Sequence, residues 1–160
     1  MGESMATHLF ARRRILSVVI LFFLYQITSM AFAQSAKPGE ILGIWIADDK
    51  SLKLEMFESG GNYDAHLLWG DRVVEKDGVT FKPDSKNPDP ALRARSTKGI
   101  VFVKGLTWQN GSYTDGNIYA PATGKTYKCK AEVKDGKLLL HAYVGFSMLG
   151  KTFTFIRAKE

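Results

Sequence analysis

The chain has one cysteine, Cys129, in 160 residues. No intrachain disulfide can form in any compartment, so stability must come from packing. Histidine is scarce too. His66 and His141 have no His, Cys, Asp or Glu neighbour at a metal-site spacing, so each is expected as a surface or hydrogen-bonded imidazole, and no metal or other cofactor is predicted. The net charge of +6 is spread thinly. Without a dense basic cluster, the chain is not expected to bind nucleic acid.

There is a single long apolar run, and it lies at the N-terminus. Arg12-Arg13-Arg14 precedes an apolar stretch from Ile15 to about Leu24, and Ala31-Phe32-Ala33 follows. That layout predicts a secretory signal peptide, residues 1–33, cleaved after Ala33. A membrane span needs roughly 20 apolar residues, and Gln26, Thr28 and Ser29 interrupt this run too early. The mature chain is therefore expected to be periplasmic or secreted, with no integral span. Cleavage removes Arg12, Arg13, Arg14 and Glu3 and lowers the net charge from +6 to about +4.

No helical period persists in the remainder; strand signals recur instead. Residues 34–40 form a short polar lead, and residues 41–160 read as one β-barrel domain, large enough to bury a core of its own. Gly43 to Ala47 opens the series, and Leu52, Leu54 and Met56 alternate with Lys53 and Glu55. Beyond Ser59-Gly60-Gly61-Asn62, the residues Tyr63, Ala65, Leu67 and Trp69 line one face opposite Asp64 and His66. Arg72 to Lys76 and Val79 to Lys82 then suggest a short charged ribbon closed by a type I′ turn at Asp77-Gly78, outside the main sheet. It opens a long loop at about 71–99, whose prolines lack the donor that a ladder needs.

Strands resume at Ile100 to Val103 and at Ser112 to Tyr119. Tyr127, Cys129, Ala131 and Val133 then alternate with Lys128, Lys130, Glu132 and Lys134. A slip of one residue would bury four charges, which fixes the register. Asp135-Gly136 turns the chain into Leu138, Leu140 and Ala142, and the last strand carries Phe153, Phe155 and Arg157 on one face. Eight strands in meander order predict an all-β, eight-stranded antiparallel up-and-down barrel. Such a barrel is filled by side chains or holds one small ligand.

Three ordered motifs carry a resemblance. They are Asn87-Pro88-Asp89-Pro90-x-Leu92-Arg93-x-Arg95-x-x-x-Gly99, Gly116-x-Ile118-Tyr119-x-Pro121-x-x-Gly124-Lys125-Thr126-Tyr127, and Tyr143-Val144-Gly145-x-Ser147-x-Leu149-Gly150-Lys151-Thr152. In order and spacing they resemble an exported bacterial family, domain of unknown function 2147. The resemblance spans about Gly43 to Arg157 and implies a secreted or periplasmic lipocalin-like domain with no catalytic residues to carry over. Tyr119-Ala120-Pro121 departs from the family's usual Tyr-Asp-Pro. Gly43-x-Trp45 and Arg157 are also similar to the lipocalin arrangement, which implies a guanidinium lying over the indole in a structural role.

The chemical motifs are weaker. Gly124-Lys125-Thr126 lacks the glycine five residues earlier, where Tyr119 stands, and precedes a strand, so it is not a phosphate loop. Gly145-Phe146-Ser147-Met148-Leu149-Gly150 has its second glycine one place too late for a serine elbow. Cys129 shares the apolar face of its strand and is expected as a buried thiol. Asp89 is expected to cap a turn. Arg93 and Arg95 either tie the loop to the barrel rim or form an anion-recognising lid.

The expectation is a non-enzymatic, exported, lipocalin-like protein that binds a small amphipathic or acidic ligand or an envelope component. Tyr63, Leu67, Phe102, Tyr127, Leu140 and Phe155 would form the wall, with Arg93 and Arg95 at the mouth. A filled barrel acting as a structural or interaction module is the alternative, and an uncharacterised enzyme the third. An interior void above about 300 Å³ separates the first from the second.

Overall fold

The structure, a computed structural model, describes residues 37–159. The expected signal peptide, residues 1–33, lies outside the described residues. Eight antiparallel strands follow in chain order: β1 (Gly43–Ala47), β2 (Leu52–Ser59), β3 (Asn62–Gly70), β4 (Val101–Gln109), β5 (Ser112–Ala120), β6 (Lys125–Lys134), β7 (Lys137–Tyr143) and β8 (Gly150–Arg157). Each pairs with its neighbour in sequence, and β8 returns to β1 through Trp45–Arg157, Ile46–Ile156 and Ala47–Phe155. The sheet closes into a barrel, as the meander order predicts.

Period-two alternation sets which residues enter the interior. On β6, Cys129, Ala131 and Val133 are buried while Lys128, Lys130 and Glu132 face solvent. Three two-residue turns gather at one end: Gly60-Gly61, Asn110-Gly111 and Asp135-Gly136. All six residues have positive φ, the conformation of type I′ turns, whose twist matches the flanking strands. The opposite end carries the longer connections after β1, β3, β5 and β7.

The tight end is sealed. A short 3-10 helix, Pro38–Ile41, inserts the fully buried Ile41 beneath the barrel. The Trp45 indole donates to Ile41 C=O (2.7 Å), and the Tyr113 hydroxyl accepts from Ile41 N–H (3.1 Å) while donating to Pro38 C=O (2.8 Å). Arg157 lies 4.2 Å over the Trp45 ring and donates to Leu42 and Glu40 carbonyls, both at 2.7 Å. Gly43 sits at φ +107, where an added Cβ would stand 3.1 Å from the Arg157 guanidinium.

Two local expectations change. The register slips between Lys53–Trp69 and Leu54–Leu67, a bulge at Leu68. Trp69 is thereby turned to the outer face, away from Tyr63, Ala65 and Leu67, and its indole donates to Gly78 C=O (2.8 Å). The ribbon after β3 reduces to a single bridge, Val74–Phe81. Gly78 has positive φ but Asp77 does not, so the turn is not type I′. Asp77 instead accepts from the Val79 and Thr80 amides through one carboxylate oxygen, both at 2.9 Å.

Candidate functional site

The barrel interior is filled at the sealed end and hollow at the other. Trp45, Leu54, Met56, Tyr63, Leu106, Tyr113, Leu138 and Leu140 pack the sealed half. Further along the same strands the inward positions shrink: Ala47 on β1, Gly70 on β3, Ala120 on β5 and Ala142 on β7 all border a cavity of about 560 Å³. These small residues make the space. Leu52, Leu67, Phe102, Ile118, Tyr127, Phe153 and Phe155 give it a largely apolar wall.

Polar groups collect at the mouth. Lys151 and Arg72 border the cavity together with Asp49, Asp71, Tyr119, Tyr127 and Tyr143. The Lys151 ammonium rests 4.9 Å from the Phe153 ring centre, so its charge sits on an apolar shelf. Asp49 accepts from the Ser51 hydroxyl (2.5 Å) and amide (3.0 Å). Those two bonds, with the nearby Lys151 charge, hold its carboxyl below the ordinary 3.8.

Four of the residues expected in the wall line this cavity: Leu67, Phe102, Tyr127 and Phe155. Tyr63 and Leu140 do not. They belong to the filled half, where Tyr63 meets Tyr113 edge-on at 5.2 Å and Leu140 is buried. Arg93 and Arg95 do not border the cavity either. Sequence reasoning missed Lys151 and Arg72 as the cations at the mouth. Lys151 shares strand parity with Phe153 and Phe155, and that was the available signal.

Both arginines are engaged within their own loop. Asp89 caps a 3-10 turn, Pro90–Leu92, by accepting from Ala91 N–H (2.9 Å). That turn brings Arg93 Nε to Asn87 C=O (2.8 Å). Arg95 reaches Asp84, which is wholly buried: Nη2 stands 2.8 Å and Nε 3.1 Å from Oδ2. Asn87 also donates to Oδ2 (2.7 Å), and the Tyr119 hydroxyl donates to Oδ1 (2.6 Å). Burial alone would raise the Asp84 pKa, but the bonds from Tyr119, Asn87 and Arg95 outweigh it and hold the carboxyl below 3.8. Burial first, and then the Asp84 carboxylate, push Tyr119 up to about 12.

The same loop packs on the connection after β5. Lys86 Nζ donates to Ala122 C=O (2.8 Å), and Gly124, at φ +71, leaves no room for a Cβ beside the Lys86 carbonyl. The glycine of the apparent phosphate-loop motif is thus required by a backbone approach. Cys129 is buried, and burial pushes its thiol up to about 12, the state of an inert apolar group.

A closed eight-stranded antiparallel barrel, sealed by an arginine over a tryptophan at one end and hollow at the other, is a lipocalin-like fold. Residues 43–157 match the family described as an uncharacterized protein conserved in bacteria, DUF2147, and the chain belongs to it. A solved structure, protein HP1028 from the human pathogen Helicobacter pylori, is described as belonging to the lipocalin family. It is 32% identical, with a TM-score of 0.64, over 75% of this chain and 84% of that one. Comparison with curated proteins gives no match. Among the described residues, no helix is long and apolar enough to cross a membrane.

Proposed function

We propose that the protein is an exported binding protein that takes the apolar part of a small amphipathic molecule, or of an envelope component, into the open half of its barrel. The cavity carries this reading. At about 560 Å³ it falls within the span of ligand pockets, roughly 300 to 1,000 Å³. Its wall is apolar in depth and polar only at the mouth, which matches a molecule with an apolar tail and a polar head. Lys151 and Arg72 favour an acidic head group there. A void of this size favours binding over the filled-barrel alternative.

A binding role rather than an enzymatic one is part of the proposal. Asp84 and Tyr119, the strongly interacting pair beside the cavity, have their bonds committed to each other and to the loop. Export rests on the N-terminal sequence alone. The test is native mass spectrometry of protein recovered from its own cell envelope. A retained lipid or metabolite, displaced when Ala142→Phe fills the cavity, is the expected result. A barrel that is empty in every preparation, and that also fails to take up a fluorescent fatty acid, overturns the reading.

A further inference from the structure

The connection from β7 to β8 exposes an unusual amount of apolar surface. Between Ala142 and Gly150 the chain carries no charge. Four of the seven large hydrophobic residues exposed among the described residues lie here: Val144, Phe146, Met148 and Leu149, at 66%, 80%, 92% and 72%. Patches of this kind on a folded protein mark contact surfaces.

The segment is held in place. Leu149 N–H donates to Phe146 C=O (3.0 Å), and His141 Nε2 donates to Ser147 C=O (2.7 Å). An added Cβ at Gly150 would run into Ala142 C=O and the His141 ring, so the start of β8 packs directly against the end of β7. The turn therefore presents Phe146 and Met148 to solvent from a pinned base. Val144 and Leu149 border the cavity as well, which makes the apolar tip continuous with the mouth.

Charge decides what the tip fits. On the outer face of the neighbouring strand, the exposed Lys128 stands opposite Tyr143 and the exposed Lys130 opposite His141. Lys151 follows the tip directly. Glu132 lies further toward the sealed end, and the two carboxylates at the mouth, Asp49 and Asp71, stand on the connections after β1 and β3, not on β6 or β8 beside the tip. We propose that this connection docks on an anionic lipid bilayer, with Phe146, Met148 and Leu149 entering the acyl boundary and Lys128, Lys130 and Lys151 meeting phosphate head groups. An apolar projection rooted among cations suits that surface. The inference stands on the tip and the lysines beside it, and does not need the cavity to be occupied. It adds to the cavity reading by giving the mouth a lipid surface to exchange with.

The test places an environment-sensitive fluorophore on a Met148→Cys variant of the mature chain, residues 34–160; the buried Cys129 stays unlabelled. A second label at Asp135→Cys, in the turn at the sealed end, serves as the comparison. With vesicles of equimolar phosphatidylcholine and phosphatidylglycerol, emission from position 148 should shift to the blue and be quenched from within the lipid, and emission from position 135 should not. Phosphatidylcholine alone, or Lys128→Glu with Lys130→Glu, should weaken the response about tenfold.

No shift at position 148, an equal shift at both positions, or indifference to vesicle charge overturns the proposal. So does a shift at 148 that grows with protein concentration without vesicles, which would assign the tip to a contact between copies. Fluorescent fatty-acid uptake, measured without vesicles, keeps the two readings apart. Uptake without tip insertion removes only this inference, and insertion without uptake removes only the cavity reading.

Discussion

Arg95 and Asp84 meet on one oxygen. Both guanidinium donors, at 2.8 and 3.1 Å, converge on Asp84 Oδ2, because Oδ1 is taken by the Tyr119 hydroxyl at 2.6 Å. The side-on fork that an arginine forms with a free carboxylate is therefore forgone. In its place the carboxylate joins two parts of the molecule, the loop through Arg95 and Asn87, and β5 through Tyr119. Thr97 adds a second tie, its hydroxyl donating to Lys82 C=O (2.8 Å). The loop is long but clipped at both ends of its Pro-rich core.

Removing the hub should cost more than removing either spoke. Asp84→Ala leaves Tyr119, Asn87 and Arg95 without their acceptor and should destabilise by about 3 kcal/mol. Arg95→Ala should cost about 1 to 3 kcal/mol, since Tyr119 and Asn87 still satisfy the buried carboxylate. Urea denaturation followed by circular dichroism measures both. If Asp84→Ala proves no worse than Arg95→Ala, the hub assignment fails.

The hub, together with Tyr113 at the sealed end, sets two pH limits. Asp84 has a folded pKa below 3.8, so its stabilisation is complete above 3.8 and is lost as pH falls through the depressed value. Tyr119 and Tyr113 run the other way. Both are pushed up to about 12 from 10.0, so their contribution is complete below 10 and is lost as pH rises toward 12. Thermal unfolding should show a stability plateau between these limits. Tyr119→Phe should flatten the alkaline slope, and an unchanged slope would refute the assignment.

The sealed end offers an independent test. Arg157→Ala removes the stacking on Trp45 and two carbonyl bonds, and should cost about 1 to 3 kcal/mol. Hydrogen exchange at the Glu40, Ile41 and Leu42 amides should rise sharply, because Arg157 closes that helix against the barrel through the Glu40 and Leu42 carbonyls. Exchange confined to other turns would separate the guanidinium from the seal.

The barrel was legible because period two is a local signal. In β6, four charges alternate with Tyr127, Cys129, Ala131 and Val133, and only one register keeps those charges in water. Trp69 was misjudged because a bulge depends on how two strands pair, and the alternation of one strand does not show it. The motif from Asn87 to Gly99 was visible, but its partner was not. Asp84 lies before the motif, in a proline-flanked run that looks like solvent-exposed loop, and only the fold brings it to Tyr119. The cavity was hidden for a related reason: Ala47, Gly70, Ala120 and Ala142 are unremarkable singly and make a void only when four strands align them.

Gly124→Ala should be among the most damaging small substitutions. The new methyl would strike the Lys86 carbonyl, at a backbone φ of +71 that L-residues adopt rarely. A loss of about 2 kcal/mol or more is expected, with the 71–99 loop becoming sensitive to protease. Unaltered stability together with measurable nucleotide binding would restore the phosphate-loop alternative.

The arginine and lysine candidates separate in a single binding series. Lys151→Glu reverses the charge at the mouth and should weaken uptake of a fluorescent fatty acid about tenfold, because the carboxylate head would meet a carboxylate. Arg93→Ala alters only a bond to the Asn87 carbonyl and should leave affinity within about twofold. Ala142→Phe should abolish uptake by occupying the space while keeping the fold, which circular dichroism verifies. Should Arg93→Ala weaken binding as much as Lys151→Glu, the acidic head lies over the loop and not at the mouth. The cationic site would then be the one the sequence suggested first.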